Sequence, residues 1–309
     1  MTTEVRISSN HIGWILEAFA RESAFAIDLN VNFLIIPTRR REYFYLKTWL
    51  RLLRRRQRIS RRLFIHHTTL LKFKGDLEKC PSRVLLTHFD SDSIITPLLL
   101  KKLLKLEMVI VQNNRMKEML IDRGLDESKV RVVLGAVDRA QYFPKISMPL
   151  RTYVLIVGEC KPRKNPELIS QVIIDNPKID FVIHGNGWEQ YLLLPHRNLQ
   201  NLVIIPFSLK MNPELLREAT LLLSLSKLEG GPIPVLEALA SGTPVLATDT
   251  GFSRDVINET NGRVLPVDAD VDLISQHLNS LLNLKSKLWN RDLLDGNYTW
   301  ANLGKAIYE

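Results

Sequence analysis

The sequence predicts an α/β protein of two domains, each built on a mainly parallel sheet with helices on both faces. The length of 309 residues suits two domains of ordinary size. Short apolar runs rich in β-branched residues alternate with amphipathic stretches, a pattern typical of parallel sheets. The hydrophobic content of 45%, with ordinary glycine and proline, excludes disordered, collagen-like and coiled-coil chains.

The first half carries this alternation in a less regular form. Apolar runs predict strands over residues 30–37, 62–68, 83–88, 107–112 and 129–135, and amphipathic periodicity predicts helices over 11–23, 94–105 and 113–124. We therefore expect a first Rossmann-like domain over residues 1–137. The polar, proline-containing stretch 138–151 is the expected interdomain linker.

The second half shows the alternation more clearly. Its predicted strands cover 152–158, 180–185, 201–206, 220–226, 244–248 and 262–266, and its predicted helices cover 165–174, 212–219, 233–242 and 270–283. Asn165-Pro166 and Asn212-Pro213 predict helix N-caps followed by proline at the first helical position, and Gly242 predicts a helix stop. A second Rossmann-like domain is expected over 152–309.

The positive charge is concentrated in one segment. The chain has 42 Lys and Arg against 33 Asp and Glu, a net charge of +9. Residues 39–62 hold eleven bases and one acid, which leaves 31 bases and 32 acids elsewhere. Within the segment, Leu46, Trp49, Leu50 and Leu53 recur at helical spacing beside dense arginines, which favours docking on an anionic membrane surface. The membrane-facing residues we predict are Trp49, Arg51, Arg54, Arg55 and Arg58.

Three other interpretations of this basic segment stay open. It could be an exposed helix without a partner, or it could meet a highly anionic glycan acceptor. Nucleic acid is the third candidate, but the sequence contains no recognition module to orient it, so we predict no nucleic-acid partner. Cys80 and Cys160 indicate neither a disulfide framework nor a zinc site. Without a signal peptide or a membrane-spanning run, we expect a cytoplasmic protein that is peripheral on the inner face of the plasma membrane.

The stretch 227–257 carries the most specific chemistry. A predicted strand ends at Ser226, the loop holds Glu229, Gly230, Gly231 and Pro232, and a helix begins near Pro234. Glycines at such a junction let backbone N–H groups approach a ligand, and the helix N-terminus adds positive potential, so we expect an anion site. Glu229 and Glu237 would flank it, and carboxylates beside an anion hold hydroxyl groups, as in a nucleotide sugar.

The E-x7-E spacing of Glu229 and Glu237 in a strand–loop–helix context resembles the retaining glycosyltransferases of the large family commonly numbered four. The resemblance implies a GT-B fold, with two Rossmann-like domains facing across a cleft. It also implies that Glu229 contacts the donor sugar, that the backbone from Gly230 through Gly231 and Pro232 to Ile233 lies against sugar and diphosphate, and that Glu237 binds the ribose.

Further segments carry the same resemblance. Residues 157–169 are similar to the basic loop in which a lysine neutralises the donor diphosphate, which implies this role for Lys164 with Arg163 beside it. Residues 184–190 resemble the nucleotide loop, with Gly185 and Gly187. In the first half, His88 stands where relatives have a histidine at the sugar, and Gly13 lies in a stretch similar to the acceptor-side glycine loop.

The sequence departs from the family pattern at several positions. Glu159 replaces an arginine that often follows the glycine of the basic loop, so diphosphate neutralisation falls to Lys164 with Arg163 or Lys161. Pro232 stands where glycine is common and removes one N–H donor. The last helix, 299–308, is expected to pack on the first domain as it does in the family.

Together these features predict a retaining glycosyltransferase that moves a sugar from a nucleotide-diphosphate donor to a glycan or lipid-linked acceptor in cell-surface polysaccharide or glycolipid synthesis. The donor belongs to the second domain and the acceptor to the first, and no cofactor or metal is required. Asp90 and Asp92 form a D-x-D that leaves a metal-dependent GT-A transferase as an alternative. A non-catalytic sugar-nucleotide-binding or scaffold protein is the other.

Overall fold

The fold is given by a computed structural model that describes residues 2–8, 15–36, 59–87, 94–144, 152–189, 191, 199–282, 292–294 and 296–309. The chain divides into two compact units. The first comprises Met1–Ala136 with Trp300–Glu309, and the second comprises Val137–Thr299. Each is a parallel α/β unit.

The first unit is built on a parallel sheet in the order β2-β1-β3-β4-β5-β6. Its strands are β1 (Thr2–Ser8), β2 (Val31–Ile36), β3 (Ile59–Ile65), β4 (Ser82–Leu85), β5 (Met108–Val111) and β6 (Val130–Val132). Its helices among these strands are α1 (Ile15–Phe25), α2 (His67–Lys72), α3 (Pro97–Leu103) and α4 (Asn114–Asp122). A core of aliphatic side chains, with Phe64 and Met116 among them, lies between this sheet and its helices.

The second unit has the same layered design, with a parallel sheet in the order β12-β11-β10-β7-β8-β9. Its strands are β7 (Val154–Val157), β8 (Phe181–His184), β9 (Leu202–Ile205), β10 (Leu221–Ser224), β11 (Val245–Thr248) and β12 (Gly262–Leu265). Its helices are α5 (Pro166–Asp175), α6 (Asn212–Glu218), α7 (Ile233–Ala240), α8 (Ser253–Val256) and α9 (Val271–Leu281). All these strands run the same way, so the loops that follow them gather at one edge of the sheet, where ligands bind in such folds.

The last helix, α10 (Trp300–Tyr308), belongs to the first unit. Its final carbonyl groups accept hydrogen bonds from arginines on three strands. Arg83 Nη1 lies 3.0 Å from Ile307 O, and Arg131 Nη1 lies 2.8 Å from Ala306 O. Arg61 also donates, to Tyr308 O. These cations satisfy carbonyls that a helix end leaves without partners and complement its dipole.

The strand β1 is the main difference from the sequence prediction, which assigned no element there. Val5 and Ile7 are fully buried, but Glu4 and Arg6 alternate with them. The polar pair is accommodated because Arg6 Nε lies 2.6 Å from Glu4 Oε1 and the Arg6 guanidinium lies 4.6 Å from the Phe73 ring centre. The strand predicted at 62–68 is also displaced, to 59–65, and α2 begins at His67.

The predicted basic segment 39–62 falls mostly outside the described residues. Only its end is described, and there Arg61 and Arg62 are part of β3. Arg62 faces Glu4, with 3.7 Å between Nε and Oε1. These two arginines are therefore part of the sheet. The membrane-docking prediction rests on residues that lie outside the described ones, namely Trp49, Arg51, Arg54, Arg55 and Arg58.

Candidate functional site

Glu229 lies at the centre of a cluster of charges after β10. Its side chain is 4% exposed, and both carboxylate oxygens meet a cation. Lys164 Nζ is 2.5 Å from Oε1, and Arg163 Nη1 is 2.6 Å from Oε2. Ser226 Oγ donates a further hydrogen bond to Oε1 at 2.9 Å. Lys164 and Arg163 come from the loop after β7, so neighbouring strands deliver the partners to one point.

The electrostatics of this cluster keep Glu229 ionised. Burial by itself would raise the pKa of the Glu229 carboxyl. The charges of Lys164 and then Arg163, with hydrogen bonds from Lys164 and Ser226, outweigh burial and hold that pKa below its usual range. With two cations for one carboxylate, the cluster keeps a surplus positive charge.

The loop from Glu229 leads directly into α7. Gly230 and Pro232 are buried, and Gly231 and Ile233 are half-buried. Pro232 is the N-cap residue and offers no side-chain hydrogen bond to the helix. The N-terminal end of α7 therefore adds its positive potential to the surplus charge beside Glu229.

Glu237, on α7, is held by two hydrogen-bonding side chains. Asn212 Nδ2 lies 2.9 Å from Glu237 Oε2, and the Tyr142 hydroxyl also bonds to the carboxyl group. Burial raises the pKa of Glu237 to about 7, although the bonds from Tyr142 and Asn212 act in the opposite direction. Burial and then the charge of Glu237 raise the pKa of the Tyr142 phenol as well.

The glycines predicted for the nucleotide loop are required by the backbone. A Cβ atom added to Gly185 would lie 1.9 Å from the carbonyl oxygen of Gly158, so only glycine fits there. The same carbonyl accepts a 2.8 Å hydrogen bond from Trp188 Nε1. Gly187 has a φ of +84°, in the left-handed region that favours glycine. The loop after β8 thus lies tightly against the loop after β7.

Comparison with known proteins identifies this arrangement. The family described as "Glycosyl transferases group 1" matches residues 139–291, nearly the whole second unit. The second unit is therefore a group 1 glycosyl transferase domain. The two parallel α/β units are those of the GT-B fold, which confirms the fold class predicted from the sequence.

Individual relatives of this chain are distant. An Escherichia coli UDP-Gal:alpha-D-GlcNAc-diphosphoundecaprenol alpha-1,3-galactosyltransferase is 25% identical over 216 residues, 61% of this chain and 56% of the relative, so the match spans little more than half of that enzyme. Anabaena HepE in complex with UDP and glucose has a TM-score of 0.76 at 12% identity, covering 99% and 98% of the two chains. The lipopolysaccharide outer core galactosyltransferase WaaB, in its apo form, has a TM-score of 0.70 at 15% identity, covering 99% and 97%.

The structure brings together several of the site residues predicted from the sequence. Lys164 and Arg163 each contact Glu229. The backbone of Gly230, Gly231, Pro232 and Ile233 joins Glu229 to the helix of Glu237. Gly185 packs on the glycine before the basic loop. His88, Gly13, Asp90 and Asp92 lie outside the described residues, so their roles stay predictions.

Neither a metal cluster nor a membrane span is found in the part of the chain that the structure describes. Within it, no three His, Cys, Asp or Glu side chains converge as metal ligands. Among the same residues, no helix combines the length and apolar character needed to cross a bilayer.

The structure adds site residues that the sequence did not reveal. Asn212 was expected to cap a helix, but α6 begins at Asn212 itself with Met211 as N-cap, and the Asn212 side chain instead bonds Glu237. Asn165 does precede α5, without a side-chain capping bond. Tyr142, His184 and Ser226 also bond within the site network. Only the polarity of Ser226 three residues before Glu229 was a readable signal.

Replacing Gly185 with alanine is expected to destabilise the second unit, because the new Cβ atom would overlap the Gly158 carbonyl. Overpacking of this kind costs about 1–3 kcal/mol. Urea unfolding of Gly185→Ala measures the loss. Gly296→Ala is the matched control, since a Cβ there meets nothing within 4 Å, and it should stay within about 0.5 kcal/mol of the wild type. An equal loss of unfolding free energy in both variants would contradict the close approach of Gly185 to the Gly158 carbonyl.

Glu237→Gln is expected to stabilise the protein at alkaline pH. The pKa of Glu237 is about 7 when folded and 4.5 ordinarily, so this carboxyl takes up a proton on folding between these values. Its contribution to the free energy of unfolding is therefore greatest below pH 4.5, falls as the pH rises to about 7, and is constant above. Glutamine does not ionise, so the variant does not lose this stability as the pH rises. Above pH 7 its free energy of unfolding should exceed that of the wild type by about 1–3 kcal/mol.

Urea unfolding of the wild type and Glu237→Gln at pH 5 and pH 8 measures this difference. The exposed Glu259, which pairs with Arg263 at 3.0 Å, supplies the control Glu259→Gln, whose effect should be small at both pH values. A gain from Glu237→Gln that is the same at both pH values would contradict the raised pKa.

Proposed function

We propose that this protein is a retaining glycosyltransferase that moves a sugar from a nucleotide-diphosphate donor to a glycan or lipid-linked acceptor. The observation that carries the proposal is the cluster in which Glu229 meets Lys164 and Arg163 in front of α7. We assign the donor to the second unit and the acceptor to the first.

The charges of the cluster suit a diphosphate sugar. Lys164 and Arg163 together exceed the charge of Glu229, and the N-terminal end of α7 adds to the surplus. A diphosphate entering here would meet cations that are already partly buried and held in position by Glu229. Glu229 and Glu237 would accept hydrogen bonds from donor hydroxyls, those of the hexose and the ribose respectively.

The reaction needs the leaving group stabilised while the acceptor hydroxyl attacks from the same face of the sugar. The bond from the anomeric carbon to the diphosphate oxygen breaks, the acceptor oxygen forms the new bond, and the acceptor proton passes to the departing diphosphate. Lys164, Arg163 and the α7 N-terminus can carry the developing charge without a metal. Glu229, with His88 in the predicted role, would hold the sugar hydroxyls.

Relatives suggest which substrates to try first. The name of the Escherichia coli relative specifies UDP-galactose as donor and a sugar on diphosphoundecaprenol as acceptor. HepE was crystallised with UDP and glucose. We therefore propose a uridine-nucleotide hexose as donor and a lipid-diphosphate-linked sugar as acceptor, in cell-surface glycan synthesis.

A lipid-linked acceptor lies at a membrane surface, and the basic segment could bind that surface. We propose that the part of the basic segment before β3, residues 39–58 with nine bases and one acid, holds the protein on the cytoplasmic face of an anionic membrane. Co-sedimentation with liposomes containing anionic lipid at low salt tests this. Binding that disappears with neutral liposomes supports it, and failure to sediment with either kind contradicts it.

The activity itself is tested in two steps. Thermal-shift screening against UDP-, GDP- and other nucleotide sugars should select one donor. Release of the nucleoside diphosphate from that donor is then followed with a lipid-diphosphate-linked sugar in excess EDTA. Full activity in EDTA supports the proposed mechanism, strict dependence on added Mn²⁺ favours metal-assisted transfer through Asp90 and Asp92 instead, and binding without turnover favours a scaffold.

A further inference from the structure

Glu237 is the end of a chain of hydrogen bonds that begins at the loop after β9. Ser208 N–H donates to His184 Nε2 at 2.9 Å, His184 Nδ1 lies 3.1 Å from Asn212 Oδ1, and Asn212 Nδ2 lies 2.9 Å from Glu237 Oε2. Asn212 Nδ2 is also 3.1 Å from the Tyr142 hydroxyl. His184 and Asn212 are buried, so water does not replace these partners.

The direction of each bond follows from the first. Because Nε2 of His184 accepts the Ser208 N–H, the proton of the neutral ring is on Nδ1. Nδ1 therefore donates to Asn212 Oδ1, which fixes the amide so that its NH₂ group faces Glu237. Burial lowers the pKa of His184, which favours the neutral ring that this arrangement needs.

The same histidine fastens the loop after β9 to the nucleotide loop. The His184 ring stacks on Phe207, with 4.9 Å between ring centres, and Phe207 is 41% exposed. Phe207 N–H donates to Asn186 Oδ1 at 3.0 Å. Loop residues 206–208 are thus attached to residues 184–186, which comprise the last residue of β8 and the start of the predicted nucleotide loop, with Gly185.

We infer that His184 and Asn212 are positioning residues that orient Glu237 for the nucleotide ribose and tie that orientation to the loop 206–208. The inference rests on the proposed function, because it presumes a nucleotide at Glu237. A buried chain of polar groups is costly unless every member is satisfied, and here each donor meets an acceptor. The chain of hydrogen bonds thus holds the Glu237 carboxyl group in a single orientation.

Discrimination between ribose and dideoxyribose tests this role. Isothermal titration calorimetry would compare UDP and GDP with their 2′,3′-dideoxy counterparts on the full chain. A carboxylate that accepts ribose hydroxyls should make the wild type prefer its ribonucleotide by about 10- to 100-fold. Asn212→Asp has the same shape but replaces the NH₂ donor by an oxygen, and should reduce this preference to a few-fold or less. Tyr142→Phe should reduce it partly.

A purely structural role would act differently. Asn176 is a buried asparagine of the same unit that bonds Val172 O and Ser275 Oγ, each at 2.8 Å, so Asn176→Ala is the control. It should lower thermal stability and leave the ribose preference unchanged. If Asn212→Asp and Tyr142→Phe keep the wild-type preference, the inference is overturned while the proposed function stands. If the wild type binds neither UDP nor GDP, both are overturned.

Discussion

Replacing Glu229 with alanine is expected to reduce sugar transfer by about a thousandfold, the scale of losing a group that acts in the transition state. Nucleotide binding should survive or become tighter. The reason is that Lys164 and Arg163, now 2.5 Å and 2.6 Å from the Glu229 oxygens, would be released for the diphosphate. Initial rates of transfer and calorimetric titration with UDP or GDP measure the two effects separately.

The control for this substitution is Glu159→Ala. Glu159 lies in the same basic loop as Lys164, and its exposed carboxylate pairs with Lys161 at 2.7 Å. Both rate and affinity should be close to those of the wild type. Near-normal transfer by Glu229→Ala would show that Glu229 takes no part in the reaction. An equal loss of transfer rate in Glu229→Ala and Glu159→Ala would indicate a general effect of charge.

Lys164→Ala is expected to weaken nucleotide binding and to lower transfer by about a hundredfold, because one desolvated cation is lost from the leaving-group site. The remaining partners of Glu229 would be Arg163 and Ser226, so its pKa should move upward and the acid limb of the pH–rate profile should move with it. The pH dependence of kcat/KM and the calorimetric Kd for UDP or GDP report both consequences.

Lys161→Ala gives the matched comparison for Lys164. Lys161 is three residues away and 39% exposed, and its Nζ pairs with the Glu159 carboxylate at 2.7 Å. Its removal changes the net charge equally, so only a position-specific effect distinguishes the variants. An unchanged Kd for the nucleotide in Lys164→Ala would show that the diphosphate does not lie against this cation.

The sequence predicted those parts of the site that are continuous along the chain. One strand–loop–helix unit holds Glu229, the glycines after it and Glu237. Lys164 lies in the loop of a second such unit. Spacing and residue type along the chain were therefore sufficient to predict these site residues. The Glu237 network was not predictable in this way. Tyr142 and Asn212 are 70 residues apart, and Asn212 and His184 are 28 apart, so only folding brings them together.

Local rules also misled at particular residues. Asn212 before Pro213 has the pattern of a helix cap, but its side chain bonds Glu237 and His184, and α6 begins without a side-chain capping bond. In β1, between β2 and β3 in the sheet, Glu4 and Arg6 alternate with the buried Val5 and Ile7, a pattern that does indicate a strand, and the salt bridge between Glu4 and Arg6 neutralises the polar face. At Asn212, therefore, tertiary contacts outweighed the local preference for capping.

The most direct test of retaining transfer at the Glu229 cluster is NMR observation of the reaction products. The donor selected by thermal shift is incubated with a lipid-diphosphate-linked acceptor in excess EDTA, for the wild type and Glu229→Ala. We predict release of the nucleoside diphosphate and a new linkage with the same anomeric configuration as the donor, in the wild type alone. An inverted linkage, or equal turnover by Glu229→Ala, would contradict this.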